Sequence, residues 1–372
     1  MLKLVLGASG SGKTTLLYAR IRARAEAGNR SILLVPEQFT SSTEARIYRE
    51  LGDALSGMVE SYSFTSLAEH ILAVEGGAAV QTLTDAGRAV LVRRALEELQ
   101  DNVHYYYRHR RSAAFCQMAA ETIDELKSAG LSGQQLQELA RDCGTESAKL
   151  CELALIFQGY ESLLAGTGMD PADRLELAAD RLEAALARDE LPDFLREREV
   201  FIDEFDTFNA PKKRLMGAML AALPAVTVAL CEDGAPMQPG DLELFSGAKQ
   251  VAAQLRQLAR KNGAQVAAPE LLRRDLRHKD APGLAALTEL LETGSCTPPE
   301  SAPELRLFAA ASREEEARCA AAAIRRLMRQ GVRCGKIAVV CRDISLYRAA
   351  VRYEFRMAEI PLYCDEPTTP EI

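Results

Sequence analysis

The feature that most constrains this chain is Gly7-Ala8-Ser9-Gly10-Ser11-Gly12-Lys13-Thr14, a complete GxxxxGK[ST] run. It follows a short apolar stretch, Leu2 to Leu6. It precedes a helix-like stretch, Thr14 to Ala27, which Gly28-Asn29 closes. Strand, glycine-rich turn and helix, in that order, is the context the motif requires. The glycines let backbone N–H groups turn inward around phosphate oxygens, and the helix N-terminus adds partial positive charge. Lys13 then reaches the β- and γ-phosphates of ATP and acts in catalysis, while Thr14 offers a hydroxyl to Mg²⁺. Gly7, Ala8, Ser9, Gly10, Ser11, Gly12, Lys13, Thr14 and Thr15 are the expected nucleotide contacts. A chance glycine-rich turn does not account for the elements on either side.

The surrounding pattern is α/β. Ser31 to Val35 reads as a second buried strand, stopped by Pro36, and Val59 to Phe64 as a third. Strand, helix, strand at these lengths predicts a parallel sheet. From Thr82 to Leu195 the chain reads as helices. Phe115, Met118, Ala119, Thr122, Ile123 and Leu126 share one helical face, ended by Gly130. Leu150, Leu153, Phe157, Tyr160 and Leu164 mark another, and Asp170-Pro171 opens a third. Strand character returns at Val200-Phe201-Ile202 and at Ala225 to Cys231. Residues 232–304 read as irregular, with prolines throughout. A second α/β unit is expected from 304, with extended runs at Leu305 to Phe308 and Ile337 to Cys341. Between them lies a helix from Arg313 to Gln330, capped by Ser312 and Glu315. At 372 residues two or three domains are expected. Too little of the second unit is present for a complete parallel sheet, so the chain is expected to be a fragment or to be completed elsewhere.

Composition excludes several classes. No run of about 18 apolar residues occurs, so no membrane span is expected. The glycine-rich run comes too soon after Met1 for a signal peptide, and a cytoplasmic protein is expected. Nine cysteines are scattered without a CxxC pair, and the four histidines do not join them at metal-ligand spacing. Reduced cysteines and no zinc or iron–sulfur site in this chain follow. The net charge of −8 argues against a generally basic nucleic-acid binder. Contact with nucleic acid would need a local groove.

Val200-Phe201-Ile202-Asp203-Glu204 is the second chemical constellation. An apolar strand here delivers two carboxylates. Asp203 would hold Mg²⁺, and Glu204 would orient and activate the attacking water. Alone, an acidic strand end facing solvent would be the better reading; beside the glycine-rich loop the catalytic one is favoured. Asp206 reads as a surface residue or cap. Pro36 to Thr43 is a polar loop at a strand's carboxyl end, where ligands approach an α/β sheet. It either touches DNA phosphates or simply caps the next helix, and both readings stand. His104-Tyr105-Tyr106-Tyr107-Arg108-His109-Arg110-Arg111 could stack bases and hold phosphates, but a solvated turn is preferred. Arg342, after the run Ile337 to Cys341, reaches a γ-phosphate from across a cleft or is a surface arginine.

Several blocks together resemble the N-terminal portion of the AddB family, the B subunits of AddAB-type ATP-dependent helicase–nucleases. They are LGASGSGKT, ILLVPEQFTSSTEARI, ESYSFTSLAEHIL, MDPADRLELAADRLEA, VFIDEFDTFN, the segment Gly240 to Phe245, REEEARCAAAAIRRLMRQGVRCGKIAVVCRD and EIPLYCDE. Their order covers nearly the whole chain. The resemblance implies a superfamily-1 layout: a RecA-like P-loop NTPase sheet (1–80 and 197–303) split by a helical insertion (81–196), with a partial second RecA-like domain (304–372). It implies ATP and Mg²⁺ as cofactors, and an AddA-like helicase–nuclease partner in a heterodimer. It further implies single-stranded and duplex-end DNA as ligands, in double-strand-break processing for recombinational repair and in recognition of the Chi signal. Gln38, Thr40, Ser63 and Phe64 match segments that face DNA in the family, and Phe205 and Phe208 lie where an aromatic contacts bases. Ser66 and Glu69 depart from the larger or basic residues that would suit DNA. No glutamine-bearing motif follows Cys231, where the chain reads Glu232-Asp233-Gly234. The nuclease region and its 4Fe-4S cysteines belong to the family's C-terminal part. Two other readings stay open: an active superfamily-1 helicase motor, and a non-catalytic DNA-binding scaffold with structural ATP.

Overall fold

A computed structural model describes residues 1–77, 82–141, 143–236 and 244–364. The quoted blocks at 240–243 and 365–366 lie outside them. Two compact units divide at Asp280/Ala281.

The first unit is built on a six-stranded, all-parallel sheet. In chain order its elements are β1 (Leu2–Gly7), α1 (Lys13–Glu26), β2 (Ser31–Leu34), α2 (Thr40–Leu51), α3 (Asp53–Ser56), β3 (Val59–Tyr62) and α4 (Phe64–Glu75). Then come α5 (Asp85–Glu98), α6 (Ala113–Ser128), α7 (Gly133–Ala140), α8 (Ser147–Leu164) and α9 (Pro171–Ala187). They are followed by β4 (Glu199–Ile202), α10 (Ala210–Ala222), β5 (Ala225–Cys231), α11 (Ser246–Lys261) and β6 (Glu270–Leu272). The strand order is β3-β2-β4-β5-β1-β6, which is consistent with a RecA-like fold. Both faces of the sheet are covered, as parallel strands require. Leu2, Leu4, Leu6, Ile32, Leu34, Val200, Ile202, Val226 and Val228 point to one face, under α4, α9, α10 and α11. The alternate residues Val5, Leu33, Phe201 and Ala229 point to the other, under α1 and α2. The period of two thus decides which helix each strand residue meets.

Between β3 and β4 the chain leaves the sheet for a long helical excursion. Helices α5 to α8 bury their own cluster, including Leu91, Val92, Leu96, Ile123, Phe157 and Tyr160. Helix α9 returns to the sheet with Leu175, Ala178, Ala179 and Leu182 at i, i+3, i+4 and i+7. One buried polar network ties the excursion together. The Lys127 ammonium donates to Asp170 at 2.9 Å and to Asp173 at 2.8 Å, and the Tyr160 hydroxyl donates to Asp170 at 2.7 Å.

Three sequence expectations need correction. Residues 232–304 are not irregular: they hold α11, β6 and α12 (Pro282–Thr293). The prolines hid these elements, yet Pro282 opens α12 at a position that tolerates it. The runs 305–308 and 337–341 are in no ladder. Leu307 is 99% exposed and Val340 89%. A strand needs a neighbour to bond, and among the described residues none pairs with these runs. Glu315 completes only half of the capping box: Ser312 accepts from its N–H, but its carboxylate accepts from Ala311. The second unit, taken by itself, packs α13 (Arg313–Arg329) on α14 (Arg348–Met357) through Ala317, Ala321, Ile324, Val351 and Phe355.

The Lys127 network yields a stability prediction. Burial works against the Lys127 ammonium, but hydrogen bonds and charge from Asp173 and Asp170 raise its pKa above the usual value. A raised cationic pKa adds stability that is present at neutral pH and is lost as pH rises through the folded value. Lys127→Met should therefore lower stability at pH 7 by about 3 kcal/mol, read as a fall in the urea midpoint. The loss should shrink in strong alkali.

Candidate functional site

The glycine-rich loop sits at the carboxyl edge of the sheet, between β1 and α1. Gly10 and Gly12 hold φ of +83° and +92°, which side-chain-bearing residues rarely adopt. Helix α1 begins with Gly12 in the cap position and no capping side chain. Its first N–H groups therefore lack the oxygen that a Ser or Asp cap would supply. The Ser11 hydroxyl is buried and has no hydrogen-bond partner among the described residues. The Lys13 ammonium donates back to the loop carbonyls of Gly7 at 2.7 Å and Ala8 at 2.9 Å. The uncapped helix start, the buried Ser11 hydroxyl and the Lys13 ammonium thus gather at one turn, a set of donors whose chemistry fits a phosphate chain. Thr15 is exposed on the outer side of the helix start.

One strand, β5, separates β1 from β4, so the end of β4 arrives beside the loop. Asp203 follows β4 directly and is 5% exposed. Its amide donates to Leu34 O at 3.1 Å, its carboxylate accepts from the Glu204 amide at 3.0 Å, and the Thr14 hydroxyl lies close enough to lower its pKa. Burial pushes its pKa up; the Thr14 and Glu204 hydrogen bonds and the charges of Arg46 and Lys13 oppose that rise. One hydroxyl and one carboxylate fit a Mg²⁺ ion that takes its remaining oxygens from phosphate and water. Among the described residues no group of three His, Cys, Asp or Glu forms a self-sufficient metal cage.

Glu204 has φ +65°, a strained conformation for a non-glycine residue. Burial and the neighbouring Asp203 push its pKa up, against Arg46. It lines a cleft of about 330 Å³ together with Glu37, Gln38, Ser63, Asp206 and Lys212. The floor of this cleft is aromatic. Phe64 meets Phe205 edge-on at 5.3 Å, and Phe205 stacks on Phe208 at 5.3 Å. All three rings are buried, so their faces are spent on one another. Lys212 lies 5.5 Å above Phe205. Ser63 caps α4 through a reciprocal pair with Ser66, and Thr40 donates to Glu37 O. Gln38 is exposed, and its carboxamide has no partner among the described residues. Four of the six residues expected to face DNA thus line one cleft, while Thr40 and Phe208 do not. Arg342 is exposed in the second unit.

Sequence reasoning missed two contributors. Arg46 lies 4.8 Å from the Tyr18 ring centroid and is an electrostatic neighbour of Asp203 and Glu204. The segment after β6 crosses the loop: the Leu276 amide donates to Gly10 O at 3.0 Å, and Arg277 donates to the Ser9 hydroxyl at 3.2 Å. Charge density in 273–280 concealed that segment. Glu232, after β5, donates its amide to Gly7 O at 3.2 Å, so it lies against the start of the loop, with Arg256, Asp233 and Lys249 as its charged neighbours.

Fold and site define a class: an all-parallel α/β protein with a GxxxxGK[ST] loop and an acidic strand end meeting at the sheet's carboxyl edge. The chain belongs to the family described as ADDB, N-terminal, whose model matches residues 4–288. It is similar to proteins named as the B subunits of ATP-dependent helicase/deoxyribonucleases. The one from Moorella thermoacetica is 33% identical over 98% of this chain, and the one from Desulforudis audaxviator is 34% identical over 98%. That from Symbiobacterium thermophilum is 32% identical over 99%. The chain spans 32% of the length of each of these relatives.

Two outcomes check the site. A Cβ at Gly10 would stand 2.9 Å from both Arg277 Cβ and the Asp275 carboxylate, so Gly10→Ala should cost at least about 1 kcal/mol in a urea titration. Asp203 has a raised folded pKa, so its charge destabilises the fold at neutral pH. Asp203→Asn should raise the urea midpoint at pH 7 while weakening binding of Mg-ATP. The gain in midpoint should disappear as pH falls below the unfolded carboxylate value.

Proposed function

We propose that this chain binds Mg-ATP at the loop and DNA across the neighbouring cleft. We infer that it does so as the N-terminal part of a helicase–nuclease B subunit that processes double-strand breaks for recombinational repair. The observation that carries the reading is the meeting of Thr14 with a buried Asp203 beside an uncapped helix start. Family membership and the relatives' printed names support ATP use and a partner subunit. We take that partner to be an AddA-like helicase–nuclease subunit. No described helix is long and apolar enough to cross a membrane, and nine unpaired cysteines suit the reducing cytoplasm.

Bound Mg-ATP would supply the scissile phosphoanhydride and a divalent charge beside it. The loop amides, Ser11 and Lys13 would bind phosphate oxygens, with Thr14 and Asp203 as the metal's protein ligands. Glu204 would orient the attacking water and accept its proton, its raised pKa bringing it closer to the working pH of a base. Arg277, which donates to the Ser9 hydroxyl, is the proposed additional cation. At the cleft, Gln38 and Thr207 offer hydrogen bonds to a single strand, with Thr40 and Ser63 holding the loop and the start of α4. Phe64 and Phe205 set its floor, with Phe208 stacked behind Phe205, and Lys212 sits at its wall. Recognition of Chi would draw on these same residues.

The run Glu232-Asp233-Gly234 after Cys231, which holds no glutamine, favours a second reading, a scaffold in which ATP is bound without being coupled to DNA movement. Phosphate release with and without single-stranded DNA separates the two. Coupled function predicts DNA-stimulated release by wild type. Lys13→Ala should lose Mg-ATP binding by calorimetry, whereas Glu204→Gln should keep binding and lose about 100-fold or more in release. Wild type that binds Mg-ATP but releases no phosphate would support the scaffold. Binding unchanged by Lys13→Ala would remove the nucleotide site altogether.

A further inference from the structure

Phosphate charge on a DNA strand has to be met by cations, and the cleft is poorly supplied with them. Glu37, Glu204 and Asp206 line it against Lys212. The opposite balance occurs on the helical excursion, in the turn between α5 and α6. Residues 103–113 contain Arg108, Arg110, Arg111, His104 and His109 and no acid, in a chain whose net charge is −8.

This turn is fixed in place. Val103 is fully buried. The successive amides of His104, Tyr105 and Tyr106 all donate to the Glu152 carboxylate, at 2.8 to 3.2 Å. Tyr106 stacks on Phe115 at 5.6 Å. The Arg110 guanidinium lies 3.9 Å from the Tyr107 ring centroid and donates to the Tyr107 carbonyl. What remains outward is cationic and aromatic. Arg108, Arg111 and the His104 ring are exposed and have no hydrogen-bond or ion-pair partner among the described residues. Tyr105 is 48% exposed, with the Lys149 ammonium 5.4 Å from its ring centroid. On the adjacent helix, by contrast, Arg93 and Arg94 are each matched to a glutamate four residues on. A rigid turn that displays unmatched guanidinium groups beside an open tyrosine has the chemistry of a nucleic-acid backbone contact.

We propose that residues 104–111 form a second DNA contact, in which Arg108 and Arg111 meet backbone phosphates and Tyr105 packs against a sugar or base. Glu152 is its positioning residue. The proposal rests on the DNA-binding reading above and supplies the cations that the cleft lacks. It gives this turn a role in affinity rather than in sequence choice, because phosphates carry no sequence information.

Fluorescence anisotropy of the 372-residue chain with a labelled oligonucleotide, single-stranded and duplex, over a salt series tests this. Arg108→Gln/Arg111→Gln should weaken binding. It should also flatten the slope of log K against log salt by about 1.4 on single strands or about 1.8 on duplex, for two phosphates lost. Arg108→Lys/Arg111→Lys should keep the slope, which separates charge from fold, and circular dichroism should be unchanged in both variants. If wild type binds and the Gln variant shows the wild-type slope on both DNAs, this proposal is overturned while the DNA-binding reading stands. If wild type binds neither DNA, both are overturned. A Gln variant that keeps DNA binding but loses an AddA-like partner in a pull-down would also overturn it, making the turn a protein-docking surface.

Discussion

The arrangement depends on one constraint: parallel strands must end on the same side of their sheet. Because β1 and β4 run the same way, the turn after β1 and the residue after β4 come out at one edge, one strand apart. A glycine-rich loop and an acidic residue nearly two hundred positions distant in sequence are thereby brought together without any direct signal between them. The order β4-β5-β1 leaves a crevice outside the carboxyl ends, where open α/β sheets take their ligands. The helical excursion between β3 and β4 does not disturb this, because α9 returns to the sheet face that α4 and α10 also cover.

Consecutive residues then serve different surfaces. Asp203 faces Thr14, whereas Glu204 borders the cleft that also holds Gln38 and Lys212. The left-handed backbone at Glu204 is the local cost of that division. A strand end that continued in extended conformation would alternate its side chains about the sheet and would not hold the two carboxylates in this relation. The same peptide therefore borders both the proposed phosphate site and the proposed DNA site.

Much of the fold was legible because the relevant signals are local. The apolar runs at Leu2, Ser31, Val200 and Ala225 each became a buried parallel strand, and Asp170-Pro171 did open a helix. The errors came where local signals mislead or are silent. Prolines before and after it, at 236, 239 and 269, concealed α11, although Val251, Ala252, Leu255 and Ala259 keep a helical spacing. The apolar run 337–341 reads as a strand, but a strand is defined by its neighbours and not by its own residues. At the site, the motif residues could be named in advance because backbone geometry dictates them. Arg46, Arg277 and Lys212 could not, because each reaches its place by tertiary packing with no fixed spacing to the loop. Phe205 and Phe208 showed as aromatic in sequence, but nothing there revealed that their faces would be used on each other.

Two buried carboxylates show how structure and function divide in this unit. Asp170 is 1% exposed and Asp203 5%. Asp170 is fully answered, by the Lys127 ammonium and the Tyr160 hydroxyl, so its charge is balanced within the fold and locks α6, α8 and α9 together. Asp203 has hydrogen bonds but no ion-pair partner within 4.0 Å among the described residues, and burial raises its pKa. A carboxylate whose pKa burial raises, against the charges of Arg46 and Lys13, costs the fold stability at neutral pH. Such a group persists where a ligand completes its environment, which is why perturbed acids gather at working sites. The contrast points to Asp203, at the carboxyl edge and beside a loop with an unanswered hydroxyl at Ser11, as the position where this fold is arranged for something other than itself.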